Sequence, residues 1–118
     1  MKKKSISKLK KQAWELLSKV IRKEKPTCEL CGKPSVHVHH IIPRARGNAV
    51  YFNERNLASL CAGCHMGFHR RFSPKEIDQK VYMMKGDFSD VERIKWSTKK
   101  ISRSEYEDMI EEYKGRLG

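Results

Sequence analysis

Hydrophobic and polar positions divide the chain into a small number of elements. From about Ser5 to Arg22, the residues Ile6, Leu9, Ala13, Leu16, Leu17, Val20 and Ile21 recur at helical spacing, with lysines on the opposite face and Trp14 at the edge of the stripe. Pro26 ends that amphipathic helix. Val36 to Ile42 reads as a short β run stopped by Pro43. The stretch 44–50 reads as a loop, and Leu57 to Leu60 as a second short strand. Ala62 to Phe72 predicts a helix carrying His65 and His69. Ser73, Pro74 and Glu76 supply an N-cap, a first-turn proline and a capping-box glutamate for a helix running to about Lys85 and stopping at Gly86. Ser89 to Lys95 predicts a short helical turn. Ser102 with Glu105 forms another capping box, and the helix it starts puts Tyr106, Met109, Ile110, Tyr113 and Leu117 on one face. Trp14, Trp96 and Tyr113 read as core residues, and Met83 and Met84 as helix packing. There is no internal repeat, and the fold class expected is α+β.

Length changes this picture by limiting it to a single domain, since 118 residues do not support two independent cores. Its expected parts are a basic arm and helix (1–25), a central unit (26–73) and C-terminal helices (74–118). Apolar residues make up 38% and charged residues 34%, so the core is modest and of the kind a metal often completes. The net charge of +12 favours an anionic partner, nucleic acid first. It is unevenly spread: +8 over residues 1–25, +4 over 26–73 and zero over 74–118. The excess therefore lies on the first helix and the central unit, where a solvated tail needed only for solubility would not have to concentrate it. No apolar run is long enough for a membrane span or a signal-peptide core. That points to the cytoplasm, where paired Cys-x-x-Cys motifs read as metal ligands and not as disulfides.

All four cysteines fall in two such pairs, Cys28/Cys31 and Cys61/Cys64, separated by 29 residues. Zinc takes four thiolates in a tetrahedron, and two tight turns can each supply two, with Gly32 relieving the first bend. A Cys₄ set leaves no position for water, so this zinc is structural. Its task is to hold the strand region against the following helix, which sets the distance between His39 and His65. His65 and His69, four apart on a helix, share a face within reach of one cation. His39 and His40 are adjacent on a strand, so alternation sends them to opposite faces. One is then free for a metal and the other for substrate, but spacing alone does not say which. His37 shares the His39 face and reads as a surface or supporting residue.

The segments HVHHIIP, FNERNL and LCAGCHMGFH together resemble the HNH endonucleases of the ββα-metal fold, in the subclass with paired Cys-x-x-Cys zinc sites. The resemblance covers about residues 28–72. It implies a small zinc-stabilised ββα-metal core with flanking N- and C-terminal helices, and hydrolysis of DNA phosphodiester bonds. By the same resemblance His39 binds the catalytic metal, His40 is the general base, and His65 and His69 complete the ligand set. Asn56 bonds the connecting loop and orients the base; Asn53 is the other asparagine in reach, but Asn56 stands where the second strand begins. FNERNL with the second cysteine pair, followed by WSTKKISRSEYEDMIEEYKGRL, is also similar to the phage NinG (Rap) recombination proteins. That similarity implies phage packaging or recombination proteins as partners, branched as well as duplex DNA as substrate, and a bacterial host cell as the setting. The chain departs from the pattern in having His-His where those proteins have Gly-His, and Cys-His where they have Cys-Asn.

The residue types suit the chemistry. An imidazole, with an ordinary pKa of about 6.5, is a useful base near neutrality. An all-imidazole cation site suits transition metals better than magnesium, with magnesium, manganese, nickel and zinc all in the expected set. Arg44, Arg46, Arg70 and Arg71 flank the site and are candidate phosphate contacts, as are Lys8 and Lys11 on the first helix. The competing readings are a non-catalytic zinc module that binds DNA, and a zinc ribbon that binds protein. Both use the cysteines, but neither gives a reason for the ordered histidines and asparagine.

Overall fold

A computed structural model describes residues 4–42, 47–66, 79, 83, 86, 89–94 and 100–118. The described elements run α1 (Ile6–Glu24), β1 (His37–His40), α2 (Asn48–Tyr51), a 3₁₀ turn (Glu54–Asn56), β2 (Leu57–Leu60), α3 (Ala62–Met66), α4 (Ser89–Ile94) and α5 (Arg103–Leu117). The fold is α+β.

Helix α1 begins where the Ser5 hydroxyl accepts from the Lys8 amide and ends one residue before Lys25, next to Pro26. It packs most extensively against α5, which starts at the complete Ser102/Glu105 capping box. Leu9, Ala13, Leu17, Val20 and Ile21 of α1 meet Tyr106, Ile110 and Tyr113 of α5 and Leu57 of β2 in the main core. Ile6, at the first turn of the expected apolar stripe, projects beyond this core and is exposed. Arg116 of α5 ties the layers together at the surface, donating to Glu24 of α1 at 2.8 Å and to Glu54 of the 3₁₀ turn at 2.8 Å.

The two strands form an antiparallel ribbon, with His37 opposite Leu60, Val38 opposite Ser59, His39 opposite Ala58 and His40 opposite Leu57. Alternation gives the ribbon two distinct faces. Val38 and Leu57 pack into the α1–α5 core, while Ala58 and Leu60 lie among the cysteines. All four β2 residues are buried. The buried Ser59 is satisfied on every side: its hydroxyl donates to the Lys25 carbonyl at 2.7 Å and bonds the Ser35 hydroxyl, and its amide donates to Glu29 at 2.6 Å.

Three expectations change. The first strand is four residues long, because Val36 is half exposed and the chain turns at Ile41. Residues 48–50, the described end of the expected 44–50 loop beyond Gly47, join Tyr51 in one helical turn that buries Val50 against Ile42 and Val91. Met83, expected to pack, is 78% exposed. Most of the helix expected from Pro74 to Lys85 lies outside the described residues, as do Trp96, Met84 and the last part of the helix expected to Phe72. Gln79 and Met83 are helical, and Gly86 takes a φ of 68°, which suits a stop at that position.

Candidate active site and metal centre

Cys28 and Cys31 sit on a tight turn closed by the Gly32 amide donating to the Cys28 carbonyl at 2.9 Å, with Gly32 at a φ of 79°. That φ is costly for any residue with a Cβ. Cys61 and Cys64 sit at the start of α3, where the Cys64 amide points at the Cys61 sulphur at 3.4 Å. All four sulphurs lie within 4.8 Å of one another, and Cys31 and Cys61 are 3.5 Å apart. Sulphurs about 2.3 Å from a shared zinc stand roughly 3.8 Å apart, so the quartet fits a tetrahedral ion with little adjustment. Among the described residues it is the one group gathered this tightly.

The thiols also fit a cation electrostatically. Burial opposes ionisation of Cys28, yet amides of Cys61, Cys31 and Leu30 outweigh it and bring the thiol down to about 7. Burial pushes the Cys64 thiol up, and contacts with Cys61, Cys31 and Cys28 push it further. The Lys33 amide favours the Cys31 thiolate, but burial and the neighbouring Cys61 and Cys28 sulphurs leave that thiol raised. The Cys28 thiolate is favoured while those of Cys31 and Cys64 are opposed, an imbalance that a dication removes.

On the ribbon face toward α3, three imidazoles meet. The His65 ring lies 5.4 Å from the His39 ring, edge-on, and 4.7 Å from the His37 ring, stacked. Partial desolvation, with His39 and His37 nearby, holds His65 below the ordinary imidazole value, which favours its neutral form. His37, expected as a surface or supporting residue, is thus a half-buried neighbour of His65. His69, Arg44, Arg46, Arg70 and Arg71 lie outside the described residues. Lys8 and Lys11 are exposed on α1.

On the other face, His40 turns toward α1. Its Nε2 lies 3.0 Å from the Tyr51 carbonyl. A carbonyl only accepts, so the proton is on Nε2 and, in the neutral ring, the lone pair is on Nδ1. Trp14 stacks on the His40 ring at 4.6 Å and 26°, and Tyr51 meets it edge-on at 4.9 Å. Behind this sits Asn56, fully buried. Its Oδ1 accepts from the Ile42 amide at 2.7 Å, and its Nδ2 donates to the carbonyls of Ile42 at 3.0 Å and Val50 at 2.9 Å. One side chain thereby closes the loop from the end of β1 to the turn that carries Tyr51. Asn53 instead caps the 3₁₀ turn, accepting from the Arg55 amide at 3.0 Å.

The same stretch matches the family model described as HNH endonuclease, over residues 28–71. Those residues are an HNH domain. The chain is also similar to the type IV methyl-directed restriction enzyme EcoKMcrA of Escherichia coli (strain K12), at 31% identity over 74 residues that cover 54% of this chain and 26% of the relative. A mitochondrial DNA mismatch repair protein mutS homolog of Sarcophyton glaucum is 40% identical over 48 residues, covering 37% of this chain and 5% of that protein. The matched part is therefore only about a quarter or less of either relative's length. No solved structure gives a significant match. No described helix is long and apolar enough to cross a membrane.

Two residues that precede the HNH domain contact the His40–Tyr51 group, and the sequence did not show that they would. Trp14 and Lys10 belong to α1, before residue 28, and both face Tyr51. The one available signal was their spacing of four, with Trp14 at the edge of the apolar stripe.

Proposed function

We propose that the protein is a metal-dependent endonuclease that hydrolyses DNA phosphodiester bonds and nicks one strand per event. The observation that supports this reading best is the frame around His40: a carbonyl that sets its tautomer, and a buried asparagine that holds the carbonyl's loop. A DNA-binding zinc module has no need of either.

In this reading His40 is the general base. Its Nδ1 takes a proton from the attacking water, whose oxygen bonds to phosphorus as the bond to the 3′ oxygen breaks; that oxygen takes a proton from solvent. Asn56 positions the base through the Tyr51 turn. His39, His65 and His69 would hold a divalent cation, which when bound supplies Lewis-acid stabilisation of charge on the phosphate and the departing oxygen. The imidazole donors fit nickel, zinc or manganese better than magnesium. Cys28, Cys31, Cys61 and Cys64 hold a structural zinc that fixes α3, and so His65, against β1. Lys8, Lys11, Arg44, Arg46, Arg70 and Arg71 contact flanking phosphates.

The similarity to phage recombination proteins makes a four-way junction the substrate to compare with linear duplex and single strand, and phage packaging or recombination proteins the partners to look for. The test is nicking of supercoiled plasmid by purified zinc-loaded protein across a series of added divalent metals. Metal-dependent conversion to open circle that His40→Ala slows by about 10²–10⁴-fold is the expected result. DNA binding without cleavage under every metal would replace the enzyme by the binding module.

A further inference from the structure

We propose that helix α1, which lies outside the HNH domain, forms one wall of the active site: Trp14 positions His40, and Lys10 holds a DNA phosphate beside the one cleaved. The proposal rests on the endonuclease reading above and names the residues that complete its site.

Lys10 and Trp14 are one helical turn apart on α1, and both are half-buried where Lys8 and Lys11 are exposed. Strand alternation explains why they meet the base: Val38 and His40 share the ribbon face that α1 covers, while His37 and His39 share the face toward α3. Trp14 covers the face of the His40 ring and contacts Tyr51 edge-on at 5.3 Å and 82°. Tyr51 then closes the third side, through its ring and its carbonyl. Stacking engages the ring face and not the edge, where the two nitrogens lie. Rotation of the imidazole about its Cβ–Cγ bond is therefore opposed by the indole, and rotation out of the Nε2–carbonyl bond is opposed by Tyr51. Aromatic pairs attract beyond what burial alone gives, and the attraction depends on ring geometry, so the pair selects one orientation of the smaller ring.

Among the described lysines, Lys10 is the one placed over an aromatic ring. Its Nζ lies 4.5 Å over the Tyr51 ring and donates to Asn48 Oδ1 at 3.1 Å. Both partners are neutral, and among the described residues no carboxylate pairs with it. An ammonium carries three N–H groups, and Asn48 takes one. The cation is thus preplaced one ring away from the base with its charge uncompensated, which is the condition an incoming phosphate fulfils.

The test uses the full chain, zinc-loaded, in four variants. Trp14→Leu fills the space without a π face; Trp14→Phe keeps one. If Trp14 only packs, both variants lose thermal stability and, held at a temperature where they are folded, cleave like the parent. If it positions His40, Trp14→Leu lowers kcat roughly 10- to 100-fold, the scale of a base displaced by about an ångström. KM for DNA, zinc content and affinity for the added metal stay unchanged, and Trp14→Phe restores kcat to within a few-fold. A kcat for Trp14→Leu within twofold of the parent overturns that half. Lys10→Met keeps the stem and removes the charge. It should weaken DNA binding and lower the log–log salt slope by about 0.9, the contribution of one phosphate, with Lys10→Arg restoring both. An unchanged slope in Lys10→Met overturns the other half. A parent protein that cleaves under no metal fails the endonuclease reading itself, so the two failures are distinct.

Discussion

Asn56→Ala is the perturbation whose size can be worked most directly. The native side chain makes three hydrogen bonds, all in the interior, to the Ile42 amide and to the Ile42 and Val50 carbonyls. Truncation leaves those three backbone groups buried with no partner from this side chain. A buried polar group stripped of its partner costs about 1–3 kcal/mol, and the three share one loop, so their losses overlap rather than add. A total of roughly 3–5 kcal/mol is expected, a large part of the ~5–15 kcal/mol that holds an ordinary domain. For a chain of this size that lowers Tm by roughly 10–20 °C. Urea unfolding of zinc-loaded protein measures it. Asn56→Asp sharpens the test, because the acceptor for the Ile42 amide survives while the two donors become an oxygen facing two carbonyls. Its carboxyl is pushed up by those carbonyls and by burial, so the penalty is present above that raised pKa and is relieved as pH falls through it. The Asp variant should therefore gain stability relative to the parent on acidification, and the Ala variant should not. Stability of Asn56→Ala within about 1 kcal/mol of the parent, or an Asp variant with no such pH dependence, would refute the reasoning.

Three further outcomes are expected from the cysteines, the basic helix and Arg116. Cys28→Ser or Cys61→Ser should lower folding stability and zinc content together, because zinc binding is part of the folding free energy; a mutant with one zinc and the parent's Tm would contradict it. Replacing Lys8 and Lys11 by glutamine should lower the salt slope of DNA binding by about 0.9 for each phosphate these lysines neutralise, with unfolding unchanged. Arg116 hydrogen-bonds Glu54 and, with its charge, holds that carboxyl below the ordinary carboxylate range. The stability this gives is present above the unfolded pKa and disappears as pH falls through the lower folded one. Arg116→Gln should thus flatten the acid limb of a stability–pH curve below about pH 4.5, and an unchanged limb would show the pair to be neutral.

Much of the central unit was readable because metal sites and capping boxes are local rules. Two Cys-x-x-Cys pairs announce a tetrahedral site before any fold is known, and the four sulphurs converge. Alternation along HVHH predicted that His39 and His40 would part, and they face α3 and α1 respectively. Of the two asparagines weighed, Asn56 is buried with its amide bonded to the loop, and Asn53 caps the 3₁₀ turn. What stayed hidden depends on tertiary packing. Periodicity puts Trp14 at the edge of a stripe but says nothing of which ring lies opposite. The turn 48–51 has no strong helix signal of its own; the Asn56 side chain, reaching the Val50 carbonyl from six residues on, helps hold it. Ser59 looks like a break in an apolar strand, and only the Lys25 carbonyl, Ser35 and Glu29 around it make its burial sensible.

The central claim is that His40 acts as a base while His65 serves a cation, and single-turnover cleavage during a metal titration tests it most directly. His40→Ala should retain the zinc, the fold and most DNA affinity, and should cleave about 10²–10⁴-fold more slowly at every metal concentration. His65→Ala should regain part of its loss as metal is raised. Rescue of His40→Ala by metal with no rescue of His65→Ala would reverse the two roles, and cleavage undiminished in both would contradict the account altogether.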